Sequence, residues 1–171
     1  LKMKKQKVIV ICGPTASGKT ALSIELAKKI DGEIISCDSM QIYKDMNIGT
    51  AKVLEDEMQG IKHYMLDIIS PEERYSVFDF KKQAEECIEQ ILQKGKIPII
   101  CGGTGLYINS LIYGIEYSDI EVDIEYREKL EKIAKLEGIE RLYEMAKEID
   151  PEAIKNISKN DQKRICRILE I

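Results

Sequence analysis

Gly13, Pro14, Thr15, Ala16, Ser17, Gly18, Lys19 and Thr20 have the spacing G-x-x-x-x-G-K-[ST], a set of residue types suited to holding a phosphate ester. The glycines let backbone N–H groups curl around an oxyanion, and a helix start adds partial positive charge. Lys19 supplies a point charge, and the Thr20 hydroxyl can ligate Mg²⁺. The motif leaves open which phosphate ester is held. Asp38 directly follows an apolar run. If that run is a parallel strand, Asp38 emerges at the same carboxyl edge as the phosphate loop, where such sheets place their ligands. There it fits either an acceptor that orients and deprotonates a weak nucleophile or a turn or N-cap aspartate. Thr104, after Cys101, Gly102 and Gly103, is a third group at that edge, with a helix-capping turn hydroxyl as the alternative.

The elements that must position these groups can be read from the apolar pattern. Residues 7–12 form a continuous apolar run ended by Gly13 and Pro14, as expected of a strand buried on both faces of a parallel sheet. Ala21, Leu22, Ile24, Leu26, Ala27 and Ile30 share one side of a helix over 18–30, which Asp31 and Gly32 end. Residues 33–37 read as the second strand, 63–69 as the third and 97–101 as the fourth. Ser76 and Asp79 stand at capping-box spacing before a helix that Gly95 stops. Residues 102–105 form a tight turn into another helix. This alternation predicts an α/β fold, a P-loop NTPase-like parallel sheet flanked by helices. After about residue 118 only helical patterns remain, over 123–137, over 139–149 and from 160 onward. The expected division is therefore a P-loop core over 1–117 and an appended helical subdomain over 118–171. The chain stops at Ile171 inside an uncapped helix, so the natural protein is expected to continue.

Composition narrows the function classes. With 171 residues, 44% hydrophobic and 33% charged, the chain suits one soluble globular core with a small appendage. No run of about 18 apolar residues offers a membrane span, and the basic opening Leu1, Lys2, Met3, Lys4, Lys5 leads into a strand, so the cytosol is the expected compartment. Five cysteines without a C-x-x-C pair indicate neither a disulfide framework nor a zinc site. The lone His63 is assigned no role. A net charge of -4 argues against indiscriminate coating of nucleic acid. Even so, Lys155, Lys159, Lys163, Arg164 and Arg167 oppose only Asp161 in one stretch, which reads as a solvated basic face or as a phosphate-gripping surface. No apolar run ends in the acid of a hydrolytic Walker B, which disfavours switch GTPases and motor ATPases.

Four ordered segments resemble the tRNA dimethylallyltransferase family. They are residues 13–20, Asp38, Ser39, Met40, Gln41, Ile42 and Tyr43 with 46–52, residues 102–107, and 160–170 with Arg164 and Arg167. The resemblance implies that residues 13–20 hold the diphosphate of dimethylallyl diphosphate as a leaving group, with Lys19 and Mg²⁺ at Thr20 stabilising its charge. It also implies that Asp38 receives a hydrogen bond or proton from the exocyclic N6 amine of the adenosine beside the anticodon, with Thr104 near the reaction channel. The adenine would leave its stack to reach them. The tRNA contacts so implied are Asp38, Ser39, Met40, Gln41, Thr104, Arg127, Lys163, Arg164 and Arg167, in a monomer that meets the anticodon stem-loop and no membrane. The sequence departs from the pattern at Lys163 and Cys166, where glutamine is frequent. The rival readings are an adenylate isopentenyltransferase acting on free nucleotides, which would not need the basic stretch, and a P-loop small-molecule kinase with ATP as donor.

Overall fold

The computed structural model describes residues 7–115 and 123–171, apart from the side chain of Ile124. The chain forms two compact units, Leu1–Ser118 and Asp119–Ile171. The expected division at 117–118 and the basic opening of the chain lie outside the described residues.

The first unit carries strands β1 (Ile9–Cys12), β2 (Gly32–Ser36), β3 (His63–Tyr64) and β4 (Ile97–Gly102), with helices α1 (Lys19–Ile30), α2 (Val77–Gln93) and α3 (Gly105–Ile112). The sheet order is β1-β4-β2-β3 and every pairing is parallel. β4 thus lies between the first two strands, in register Val10 to Ile100 and Ile100 to Ile35. Successive residues point to opposite faces of a strand. Ile34 and Ile99 accordingly pack with Ile24 and Ala27 of α1, while Ile35 and Ile100 pack with Phe80, Ile88 and Ile91 of α2. A sheet covered on both faces explains why its strands read as continuous apolar runs.

Local chemistry sets the ends of the helices. Gly18 at φ 80° opens α1, and Asp31 at φ 52° closes it, donating its N–H to the Ala27 carbonyl. The capping box expected at Ser76 and Asp79 is present: Ser76 Oγ accepts from Asp79 N–H at 3.2 Å, and Asp79 accepts from Ser76 N–H at 2.9 Å.

The third strand is shorter than the sequence pattern predicts. Only His63–Tyr64 pairs with β2, because Met65 at φ 62° and Asp67 at φ 53° leave the extended region. From there the chain serves a loop instead: Asp67 and Ile68 donate N–H bonds to the carbonyls of Gln41 and Ile42 at 3.2 and 2.8 Å, and Tyr43 bridges to Ile69.

The second unit is helical, with α4 (Ile124–Glu137), α5 (Ile139–Ile149), α6 (Pro151–Ile154) and α7 (Gln162–Glu170) around Leu130, Leu142, Ala146, Ile154, Ile165 and Leu169. Asp150 caps α6, accepting from Ala153 N–H at 2.8 Å, with Pro151 in the first turn where its missing N–H is harmless. α7 begins two residues later than expected, capped by Asp161.

At Gly102 a methyl group would lie 2.8 Å from Cα of Cys37 and closer still to its carbonyl group, all backbone atoms. Gly102→Ala must therefore push the exits of β2 and β4 apart. The expected outcome is a loss of about 1–3 kcal/mol, read as a lowered denaturant midpoint, whereas Gly105→Ala, where nothing lies within 4 Å of the added atom, should be nearly neutral.

Candidate active site

Residues 13–18 leave β1 and turn into α1 through two left-handed positions, Ala16 at φ 63° and Gly18 at φ 80°. These are backbone conformations that aim N–H groups into the concavity of the loop. Lys19 Nζ folds back over this loop, 2.5 Å from the Pro14 carbonyl and 3.5 Å from Ser17 Oγ. No acidic residue occupies the first turn of α1, so the positive end of the helix is left for an anion.

The exits of β2 and β4 meet this loop. Cys37 N–H donates to the Cys101 carbonyl at 2.8 Å, and Thr104 N–H donates to the Cys37 carbonyl at 3.2 Å. The Thr104 hydroxyl does not cap α3. It accepts from Ser39 N–H at 3.0 Å and donates to Ser39 Oγ at 3.3 Å, tying the two strand exits together. Asp38 is half-buried, and its Oδ1 accepts from Met40 N–H at 2.9 Å. One oxygen thus serves a turn, the alternative weighed for this residue, and Asp38 still reaches the cavity described next.

A cavity of about 100 Å³ lies between these elements, lined among others by Thr15, Lys19, Thr20, Ser36, Asp38 and Gln41. Asp38 is the one carboxylate among its described lining residues. Outside it a second, open groove is lined by Thr15, Asp38, Met40, Met46, Ile48 and neighbours. Thr15, Asp38, Thr50 and Ala51 line both. Of the sequence-derived candidates, the structure brings Thr15, Ala16, Lys19, Thr20, Asp38 and Gln41 to one cavity, while Ser39 and Thr104, bonded to each other, are not among its described lining residues.

Three residues of this region were given no role from the sequence. Lys52 is buried, its side chain 3% exposed, and donates to Asp67 and, at 2.7 Å, to the Tyr43 carbonyl. Thr50 Oγ1 donates to the Met46 carbonyl at 2.5 Å, and Gln41 Nε2 donates to the Thr50 carbonyl at 3.1 Å. His63 lines the cavity: its Nδ1 lies 2.9 Å from the Ile61 carbonyl and so carries the proton, and its buried Nε2 has no partner among the described residues. Burial lowers the His63 pKa and holds the ring neutral. Burial also pushes the Cys37 thiol up to about 12, with the charge of Asp38 adding to it, so Cys37 is no nucleophile.

In the helical unit Arg127 forms a two-pronged pair with Glu170, at 2.5 and 2.7 Å, and Arg167 approaches the same carboxylate at 3.5 Å. The Glu170 side chain is 2% exposed. Arg164 pairs with Asp161 at 3.4 Å and remains largely exposed, as does Lys163. Arg127, Asp161, Lys163 and Cys166 line one open groove within this unit.

A parallel sheet with a glycine-lysine-threonine loop at its carboxyl edge defines a P-loop α/β protein. The comparisons make this specific. Residues 41–171 match the family described as IPP transferase, and the chain belongs to that family. It is 58% identical over 164 residues to a tRNA dimethylallyltransferase of Acetivibrio thermocellus, covering 96% of this chain and 52% of the relative. Among solved structures it resembles the full-length tRNA isopentenylpyrophosphate transferase of Bacillus halodurans, with TM-score 0.66, 44% identity and coverage of 97% of this chain and 55% of that one. It also resembles a eukaryotic dimethylallyltransferase captured acting on tRNA, with TM-score 0.80, 36% identity and coverage of 97% and 41%. The chain spans about half the length of the curated relatives it matches. Among the described residues no helix is long and apolar enough to cross a membrane.

Glu170 has its pKa lowered chiefly by the hydrogen bonds from Arg127, against a smaller opposing effect of burial. A depressed carboxylate stabilises the fold above its unfolded value of about 4.3, and that stabilisation is lost as pH falls through the folded value. Glu170→Gln should therefore cost about 1–2 kcal/mol at neutral pH, reduced by solvent screening of the partly exposed arginines. The gap between parent and variant midpoints should close as pH falls below about 4, measured by denaturation of both proteins across that range.

Proposed function

We propose that the chain takes part in transfer of a dimethylallyl group from dimethylallyl diphosphate to the exocyclic N6 amine of the adenosine beside the anticodon in tRNA, giving N6-isopentenyladenosine and diphosphate in the cytoplasm. The observation that carries this reading is the position of Asp38 on the wall shared by the phosphate-loop cavity and the outer groove. A donor held by the loop and an acceptor entering from the groove would meet at that carboxylate.

In this account the backbone N–H groups of residues 13–18 and the ammonium of Lys19 hold the diphosphate. As the carbon–oxygen bond of the donor breaks, negative charge grows on the departing diphosphate, where those dipoles already point. The adenine nitrogen forms the new bond to carbon, and its proton passes to Asp38, whose Oδ1 is held by the Met40 N–H and so fixes the carboxylate. Thr104, through Ser39, keeps the chain after Asp38 in place.

The donor set suits a hard cation bound mainly through its ligand: the exposed hydroxyl of Thr20 beside one carboxylate, with no cluster of three metal-ligating side chains among the described residues. Mg²⁺ is typically held in this way, by one or two protein oxygens, water and phosphate. When bound, Mg²⁺ supplies further charge neutralisation on the diphosphate. Arg127, Lys163, Arg164 and Arg167, with Met40 at the groove and Gln41 in the cavity, would contact the RNA. The adenylate reading finds less support, since a free nucleotide would not need the exposed Lys163 and Arg164, and so does the kinase reading, since the matched relatives are named tRNA dimethylallyltransferases.

Two substitutions separate the steps. Lys19→Ala should abolish titratable binding of dimethylallyl diphosphate while circular dichroism stays unchanged. Asp38→Asn should keep donor binding and lower transfer by roughly 10²-fold or more, read by mass spectrometry of tRNA incubated with the full-length protein, donor and Mg²⁺. Product on free adenine nucleotides and none on tRNA would move the assignment to the adenylate reading.

A further inference from the structure

The outer groove has a feature that donor binding and proton removal leave unused. Of the residues that line it, Ile48 is 98% exposed and Met40 is 45% exposed. A single exposed aliphatic side chain is ordinary on a protein surface. What sets Ile48 apart is that the backbone on both sides of it is tied down while its side chain packs against nothing. Thr50 Oγ1 donates to the Met46 carbonyl at 2.5 Å, Ala51 N–H to the Ile48 carbonyl at 3.3 Å, and Lys52 N–H to the Asn47 carbonyl at 3.2 Å. Lys52, buried, then anchors this segment to Asp67. The loop holds Ile48 out in water.

The groove also has a charge signature. Its described lining contains Asp38 and Asp45 and no lysine or arginine. Two carboxylates would repel a phosphate, so nucleic acid entering here must present bases and not its backbone. Carboxylates favour the amine edge of a base, and methionine and isoleucine favour its apolar face.

We infer that Ile48 is a wedge: it fills the place that the acceptor adenine leaves in the anticodon-loop stack when the base swings toward Asp38. The inference rests on the tRNA-prenylating reading. Extruding a base sacrifices its stacking on both neighbours, and proteins that separate stacked bases commonly insert an apolar side chain in the gap. Ile48 stands on the same groove as Asp38, on a segment rigid enough to press into a stack. Met40 follows Asp38 by two residues and lines the same path for the moving base.

The test uses the full-length protein and two RNAs, an anticodon stem-loop and a short unstructured oligomer containing the same adenine. The stem-loop also carries 2-aminopurine beside the acceptor, whose fluorescence rises when it loses its stacking partner. With the parent protein, binding the stem-loop should raise the fluorescence. Ile48→Ala should lose most of that rise and lower kcat/KM on the stem-loop by about tenfold, the scale set by burying one aliphatic side chain, but by less than twofold on the unstructured oligomer. Ile48→Met should restore both. An undiminished fluorescence rise with Ile48→Ala, or an equal loss of kcat/KM on both RNAs, would overturn the wedge and leave the prenylation reading standing. Absence of transfer by the parent to either RNA would overturn the prenylation reading, and the wedge with it.

Discussion

The close approach of two backbones at Gly102 is the constraint from which the site follows. Because Gly102 has no side chain, the carbonyl of Cys37 can lie against β4 and accept the Thr104 N–H, while Cys37 N–H reaches the Cys101 carbonyl. The same exit brings Gly103 toward the Gly13 carbonyl, where an added methyl would sit at 3.2 Å. Three strands that are separate in sequence thus end within one small region. The phosphate loop follows β1, Asp38 follows β2 and Thr104 follows β4. Widening that contact would separate the Asp38 carboxylate from the loop over 13–18 even if every side chain were kept.

Phosphate recognition, as proposed, would be divided between two physical means. In the sheet unit, on the proposed reading, it would rest on backbone N–H groups, a helix end and one lysine, none of which requires a basic composition; a chain with net charge -4 could do this. In the helical unit it would rest on arginine side chains. There the guanidinium of Arg127 is fixed by both oxygens of buried Glu170, which also holds Arg167. Pairing withdraws some charge from solution. In exchange it removes much of the rotamer freedom that a free arginine would lose on binding a large, charged partner.

Much of this was legible in the sequence, and the reasons differ by element. β1, α1 and the capping box of α2 declared themselves because each rests on neighbours within a few residues: an apolar run, a glycine at positive φ, a serine three residues before an aspartate. The phosphate loop was legible for the same reason. β3 was overextended, since His63 to Ile69 has the right residue types and only the positive φ of Met65 and Asp67 ends the strand. The short helix α6 was not among the patterns, because it spans only Pro151–Ile154 and rests on the cap from Asp150. The Lys52–Asp67 pair and the Arg127–Glu170 pair join residues 15 and 43 positions apart, and no local spacing announces either. The double hydrogen bond of Thr104 with Ser39, 65 residues away, was likewise invisible.

Lys52 shows why the loop over the cavity is held by polar ties. Burying an ammonium is costly, and a well-packed apolar residue of similar volume would often stabilise a loop as well or better. An apolar anchor, however, tolerates sliding, because dispersion contacts have little directional preference. The Lys52 ammonium instead has donors that must meet the Tyr43 carbonyl and Asp67 together, and Gln41 must meet Ser36 and the Thr50 carbonyl together. These demands are satisfied in one arrangement of residues 41–52, and a partial arrangement leaves buried polar groups unpaired. The segment is thereby specified in shape more than in stability. That suits a loop whose inner side lines the phosphate cavity and whose outer side lines the groove, because both walls share Asp38, Thr50 and Ala51 and a shift on one side would distort the other.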